Sequence, residues 1–485
     1  MSAAGQNGWE PVIGLEIHVQ LSTRTKMFCG CELSFGDDPN LHTCPVCLGH
    51  PGTLPTVNEQ AIRCALMIAA ALECEVAERS IFHRKNYFYP DLPKGYQISQ
   101  YDEPVAVNGR LGDIRIHRAH LEEDAAKLTH VGESGRIHGS GSSLVDFNRG
   151  GTPLVEIVTE PDIRSAAQAR DWAQLLRTTL RQLGVSDVNM EEGSLRVDGN
   201  ISLRPAGSDQ LGVKTELKNM NSFRFLERGI EAEIKRQRGL LESGDEVAQE
   251  TFHFHPEDGS LTPLRSKEYA HDYRYFPEPD LVPVAPTEEM VADARAALPE
   301  LPAARRERYL EEIGLSEEAA ATLAFQAEYG EYFERALAAA QPDGSASAKA
   351  IANWVTGELV ASLRQAGEED PLASKATPES VAALAGLVEA KTISHGSGKQ
   401  VLAKLVAEGG DPAAIVESED LAQISDSGEL ERIVEAAIEA EPEAAESVRQ
   451  GNAKAAGRIM GVVMKQTKGR ADGGEVQRLI REQLG

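Results

Sequence analysis

The chain has 485 residues, too many for one ordinary hydrophobic core, so two or three domains are expected. Its 41% hydrophobic share marks it as globular, and no apolar run approaches the ~18 residues that span a bilayer; with no charged-then-apolar leader, a soluble cytoplasmic protein without a membrane partner is expected. The formal charge of -27 argues against broad binding to a phosphate backbone, so any nucleic-acid contact has to be local.

VIGLEIHVQL (12 to 21) alternates apolar and polar residues and predicts a strand, with Glu16 and His18 on one face and Leu15 and Ile17 on the other. Cys29-x-Cys31 and Cys44-Pro-Val-Cys47 follow on turn-rich sequence. Four thiolates close a tetrahedral structural zinc site and leave no open position for catalysis. Four reduced thiols, or a redox pair at Cys44 and Cys47, are the alternatives. Six cysteines in so long a chain are too few for a disulfide scaffold, which points to a reducing compartment. Residues 58 to 73 carry apolar positions at helical spacing, and Cys64 and Cys74 read as core residues.

The run RKNYFYPDLPKGYQISQY (84 to 101) mixes Tyr87, Phe88, Tyr89, Tyr96 and Tyr101 with Arg84, Lys85, Asp91 and Lys94. Pro90, Pro93 and Gly95 break any helix or central strand, so a constrained loop is predicted, suited to a nucleotide or a nucleic-acid end, with a packed structural loop as the alternative. Residues 114 to 117 read as a strand, and Glu122, Glu123 and Asp124 follow a strand ending in His120. Asp198 and Glu216 sit in VDGN and TELKN. Such oxygen donors suit Mg²⁺ bound to phosphate, although each motif taken alone reads more readily as solvated surface. With a helix over 165 to 183, the chain up to about residue 295 reads as α+β with a largely antiparallel sheet.

Beyond the Pro-rich stretch 277 to 289 strand-like alternation disappears and an all-helical region is predicted, with a second boundary near Gly409 to Pro412. Arg449 to Arg470 holds six basic residues and no acidic one. Lys454, Arg458, Lys465 and Lys468 fall within about 80° on a helical wheel, opposed by Ile459, Met460 and Val463, so a basic stripe for RNA competes with an ordinary solvated face. HGSGKQ (395 to 400) lacks the spacing and the Ser or Thr of a phosphate-binding loop and reads as a loop or helix start. GSGSSL (139 to 144) has no Ser and Lys partners of an amidase, and no Cys-His glutaminase arrangement is evident.

Taken together, VIGLEIHVQL, RKNYFYPDLPKGYQISQY, RAHLEEDAAKLTH, DFNRGGTPLVEIVTEPD, MEEGSLRVDGN, TELKNMNSFR and DYRYFPEPDL resemble the B subunits of the tRNA-dependent amidotransferases, the GatB family, over almost the full chain. The resemblance implies a cradle-like catalytic domain (1 to 295) with a zinc loop, a helical domain (296 to 410) and a YqeY-like, tRNA-binding tail (411 to 485). It implies that Glu16, His18, Glu122, Glu123, Asp198 and Glu216 surround magnesium where ATP phosphorylates the side-chain carboxylate of Glu-tRNA(Gln) or Asp-tRNA(Asn). Arg84, Lys85, Lys94 and Lys218 are then expected to bind the nucleotide. Ammonia is expected from a partner amidase, the family's A subunit, with its small C subunit completing a heterotrimer. Ala126 departs from the family, in which LEEDAGK is common. A non-catalytic tRNA-binding scaffold is the principal alternative; a stand-alone Mg²⁺-dependent ligase acting on a small acid is another, against which the basic tail argues.

Overall fold

The alternation near the N-terminus becomes the central strand of a large sheet. The computed structural model describes residues 8–34, 36–131, 141–266, 273–342, 344–368, 370–423, 427–450, 452–467 and 469–484. Strand β1 (Trp9–Gln20) buries Ile13, Leu15, Ile17 and Val19, while Glu16, His18 and Gln20 stay half-buried on the opposite face. The other strands are β2 (Glu75–Val76), β3 (His83–Asn86), β4 (Tyr96–Ser99), β5 (Ala106–Leu111), β6 (Ile114–Glu123), β7 (Lys127–Val131) and β8 (Ser142–Asp146). They continue with β9 (Pro153–Thr159), β10 (Leu195–Pro205), β11 (Thr215–Lys218), β12 (Glu250–Phe254), β13 (Leu261–Ser266) and β14 (Phe276–Pro277). Nine of them form one sheet in the order β13-β12-β11-β10-β1-β9-β6-β5-β2, antiparallel except between β11 and β12. β14-β3-β4 and β7-β8 make two small sheets.

Three helices cover the apolar face. α1 (Glu59–Ala71), α2 (Ala166–Leu183) and α3 (Phe223–Ser243) start at Asn58, Ser165 and Ser222, whose side-chain oxygens accept from Ala61 N, Gln168 N and Phe225 N. Gly184 and Gly244 end α2 and α3 in the left-handed conformation, at φ 66° and 84°. Leu66, Ile68, Leu176, Leu180, Leu226 and Ile230 on these helices join Ile13 to Val19 of β1 in one core. Burying each such side chain contributes roughly 1.5–3 kcal/mol before chain entropy is set against it.

Antiparallel register then decides what gathers on the other face. Glu16 lies opposite Asp198; His18 lies opposite Glu156 on one side and Arg196 on the other; His120 faces Glu156, and Asn200 faces Glu216. Paired residues point to the same side of a sheet, so the polar members of five adjacent strands share one surface.

The predicted helices over 58 to 73 and 165 to 183 are present within a residue or two, and Cys64 and Cys74 are buried. HGSGKQ forms the first turns of a helix, His395–Glu408, capped by Ser394. Two residues of GSGSSL lie outside the described residues; Ser142 to Leu144 start β8. The chain divides into the compact units Met1–Pro302 and Ala303–Gly485. α4 (Glu288–Ala296) inserts Ala294 into the first core, where Leu298 and Leu301 also pack. The second unit is helical wherever it carries regular structure among the described residues and holds two cores, one reaching from Tyr309 to Leu421 and one from Leu430 to Leu484. Val416 and Leu421, beyond the boundary expected at 410, belong to the first of these two cores.

Gly109 marks the tightest contact between β5 and the end of α1. A Cβ there would meet the Cys74 sulfur and lie 2.6 Å from the Leu72 carbonyl, which already accepts from Arg110 N at 2.7 Å. Gly109→Ala is expected to destabilise the domain by about 1–3 kcal/mol, because backbone has to move to admit the methyl group. Urea unfolding with an unchanged m-value and a lower midpoint is the expected result.

Candidate active site

The polar sheet face carries two groups of acids. In the first, His18 Nε2 lies 3.6 Å from both Glu122 Oε1 and Glu156 Oε2, and His120 Nε2 lies 3.2 Å from Glu156 Oε2. Glu122 and Glu156 are buried, and Ser99 Oγ donates to Glu122 Oε2 at 3.2 Å. Burial alone would raise the Glu156 pKa; the neighbouring His120 and His18 imidazoles and the Lys85 ammonium outweigh it and hold the carboxyl well below the usual range. One ligand atom each from His18, Glu122 and Glu156 lies within 4.8 Å of the others, a spacing that fits a cation.

The second group belongs to β1, β10 and β11. Lys218 Nζ lies 2.8 Å from Asp198 Oδ2 and 3.5 Å from Glu216 Oε1, Asn200 Nδ2 donates to Glu16 Oε1 at 2.8 Å, and Thr251 Oγ1 donates to Glu216 Oε2 at 2.8 Å. Burial works against the Lys218 charge, yet Asp198 and Glu216 more than compensate and raise its pKa. Lys218 thus offsets part of the negative charge of this group. Just past β6, Asp124 accepts from Gln20 Nε2 at 2.7 Å and Arg196 Nη2 at 3.1 Å.

Three expected members of the site, Glu123, Lys94 and Arg84, are placed elsewhere. Glu123 follows Glu122 on β6 and points to the other side, where Lys94 and Ile98 N (2.9 Å) donate to its Oε1. Arg84 is engaged in a bidentate pair with Glu278, both contacts at 2.7 Å. Lys85 sits over the Tyr273 ring at 4.9 Å. Sequence reasoning missed Glu156. The signal was present: one acid inside PLVEIVT, an otherwise apolar strand, has to face a polar neighbour. Ala126 adopts no left-handed backbone; it is buried, and its N–H donates to Asp91 O at 3.0 Å, so the departure from the family pattern is accommodated.

Cys29, Cys31, Cys44 and Cys47 converge, their sulfurs within 4.8 Å of one another. The Cys47 thiol is pushed down to about 4, first by a hydrogen bond from Cys29 and also by Lys26, while burial pushes Cys31 up to about 11. Lys26, 1% exposed, puts its ammonium 3.8 Å from the Cys47 sulfur and 2.8 Å from Phe147 O. A cavity of about 80 Å³ joins this loop to the sheet, lined among others by Lys26, Cys29, Cys47, Lys94, Tyr96 and Glu123.

In the tail, Arg458 and Lys465 lie on the exposed side of the helix Ala456–Gln466, opposite the buried Ile459 and Val463. Lys454 belongs to the preceding 3₁₀ turn, Ala453–Ala455, so the predicted single helical stripe spans two elements; Lys468 lies outside the described residues.

Paired rows of acids and bases on one sheet face, with a thiolate-rich loop beside them, define a domain with two clusters of metal-ligating side chains. Residues 11–292 match the GatB/GatE catalytic domain and residues 331–484 the GatB domain. The chain is 48% identical to the B subunit of the aspartyl/glutamyl-tRNA(Asn/Gln) amidotransferase of Persephonella marina, and equally identical to those of Anaeromyxobacter sp. and Geobacter sulfurreducens. Each comparison covers 98% of this chain and 99% of the relative. The chain belongs to the GatB family.

Asp124 separates structural from superficial charge. Its side chain is 4% exposed and holds Arg196 and Gln20, whereas Asp162 pairs with an Arg115 that is 58% exposed. Asp124→Ala is expected to cost about 3–5 kcal/mol by leaving a half-buried guanidinium unpaired. Asp162→Ala is expected to cost about 0–1 kcal/mol, and chemical denaturation of both variants checks the contrast.

Proposed function

We propose that this chain is the amidating subunit of a glutamine-dependent aspartyl/glutamyl-tRNA amidotransferase, acting on Glu-tRNA(Gln), Asp-tRNA(Asn) or both in the cytoplasm. The observation that carries the reading is the cluster of half-buried His18 with buried Glu122 and Glu156 beside Glu16, Asp198, Glu216 and Lys218, within a catalytic domain of this family. A non-catalytic scaffold has no use for buried acids brought together on one face.

The chemistry follows from the substrate. Ammonia cannot displace oxide from a carboxylate, so an oxygen of the aminoacyl side chain first attacks the γ-phosphorus of ATP, and ADP leaves with the bridging oxygen. Ammonia nitrogen then attacks the acyl phosphate carbon, phosphate departs, and nitrogen loses a proton to give the amide. His18, Glu122 and Glu156 have the donor set and spacing to hold magnesium. When bound, that ion neutralises and aligns phosphate oxygens. Lys218 offers its ammonium on the same face, supported by Asp198 and Glu216, and Glu16 is oriented by Asn200. Lys85, above Tyr273, is the remaining cation of the aromatic run turned toward Glu156. Ammonia comes from glutamine in a partner amidase, the family's A subunit, because this chain carries no amidase signature, and the small C subunit completes the heterotrimer.

The reading assigns catalysis to residues 1 to 295, a helical spacer to 296 to 410, and tRNA contacts to a tail from 411, where Lys454, Arg458, Lys465 and Lys468 meet phosphates. Zinc on Cys29, Cys31, Cys44 and Cys47 ties down the loop and takes no part in the reaction.

Two measurements test this function. In the assembled complex, Glu16→Gln or Glu156→Gln is expected to lower amidated tRNA by about 100-fold or more while glutamine hydrolysis by the partner persists. Loss of hydrolysis with phosphorylation of the tRNA-linked carboxylate intact would overturn the assignment. Elemental analysis should find about one zinc per chain. The double substitution Cys44→Ala, Cys47→Ala should abolish it; metal content unchanged in that variant rules out the four-thiolate site.

A further inference from the structure

Arg84 stands in the aromatic run where a phosphate ligand was expected, yet its guanidinium is spent inside the protein. Its Nε and Nη2 each lie 2.7 Å from a different oxygen of Glu278, whose side chain is fully buried. Asp280 adds a contact at 3.5 Å, and the guanidinium lies over the Tyr96 ring at 4.3 Å. A planar, bidentate pair of this kind fixes orientation as well as distance, which a lysine cannot do.

Glu278 immediately follows β14, and β14 pairs with β3, on which Arg84 sits: Phe276 lies opposite Arg84 and Pro277 opposite His83. The residues just before β14 are held in an uncommon backbone. Arg274 has φ 45°, and Asn86 Nδ2 donates to its carbonyl at 2.9 Å and to that of Tyr273 at 3.3 Å. That backbone presents two rings. Tyr275 stacks on Tyr101 with centroids 4.3 Å apart and an interplanar angle of 9°, and Tyr273 meets Tyr87 edge-on at 5.9 Å. Ser99, which pairs with His83 of β3, donates to Glu122 Oε2 at 3.2 Å, and Tyr101, two residues further on, carries the Tyr275 ring, so this wall is tied to the carboxylate cluster through β4.

We infer that Arg84 and Glu278 form a positioning pair for the carboxylate site, clamping β14 to β3 so that Tyr273 and Tyr275 stand as one wall of it. The inference rests on the proposed function for its readout. The wall supplies apolar ring surface and phenol donors beside the acids, and the clamp sets its distance from them without touching the reacting groups.

The test uses the full amidotransferase complex and measures kcat and KM for amidation, glutamine hydrolysis, and the thermal midpoint. Glu278→Gln, which keeps shape and loses the charge pair, is expected to lower kcat/KM for amidation by tenfold or more with glutamine hydrolysis unchanged. Arg84→Lys, which keeps charge and loses the fork, is expected to do the same. In a Tyr275→Ala background the further loss from Glu278→Gln should shrink to less than twofold, because the pair acts through that ring. Equal losses in both backgrounds, or folded Arg84→Lys with wild-type kinetics, would overturn the inference. Glu16→Gln runs alongside as the arm that reports on the function itself. If that variant keeps full activity, the functional reading fails, while the coupling of the pair to Tyr275 is still decided by the cycle.

Discussion

The whole catalytic unit depends on one constraint: a strand has two sides, and antiparallel pairing keeps each residue on the same side as its partner. β1 is central in the nine-stranded sheet, so its period of two is imposed on both neighbours. Ile13, Leu15, Ile17 and Val19 take the helices; Glu16, His18 and Gln20 take the polar face. A slip of one residue between β1 and β9 would send Glu156 into the helices and Val155 into the site. The same apolar burial that stabilises the domain therefore specifies the register that assembles the acids.

Collecting acids on a half-buried surface is costly, all the more in a chain of net charge -27. The acids brought together in the first unit are matched locally. Glu156 has His120 and His18, Asp198 has Lys218, Asp124 has Arg196, Glu123 has Lys94, and Glu233, fully buried on α3, has Arg236 at 2.7 Å. These pairs add little net stability, because desolvation consumes most of the attraction. Their effect is on geometry and protonation: Glu156 and Asp124 are held ionised, and side chains that would otherwise sample solvent are held in place.

Much of this was legible from residues alone. The β1 pattern, the two helices on the apolar face and the convergence of four cysteines follow from local periodicity and spacing, which long regular segments state clearly. What stayed hidden depends on partners distant in sequence. Glu156 joins His18 across 138 positions, 156 less 18, by strand pairing, which no local pattern records. Glu123 reads as part of a Glu-Glu-Asp motif, but one step along a strand reverses its direction and gives it to Lys94. Arg84 reads as a phosphate ligand until Glu278, 194 positions away, is seen to occupy its fork. α4 has the composition of the helices that follow it but packs on the core that precedes it, a contact composition does not record.

The cations make the division of labour clear. Arg84 and Arg196, whose rigid forks suit fixed carboxylates, are consumed in pairs that hold structure, and Lys94 closes on Glu123 at the cavity beside the thiolates. Lys218 and Lys85 remain on the polar face, one between Asp198 and Glu216 and one over a tyrosine ring, each on a flexible stem. An ammonium in such a setting can exchange one oxygen partner for another at small cost, because its three donors carry no fixed fork geometry. The proposed transfer, in which a phosphate is accepted, passed to a carboxylate and released, needs that exchange. The Arg84 fork is held by Glu278, so in this proposal the arginine of the aromatic run serves the scaffold and the flexible Lys85 and Lys218 face the moving charge.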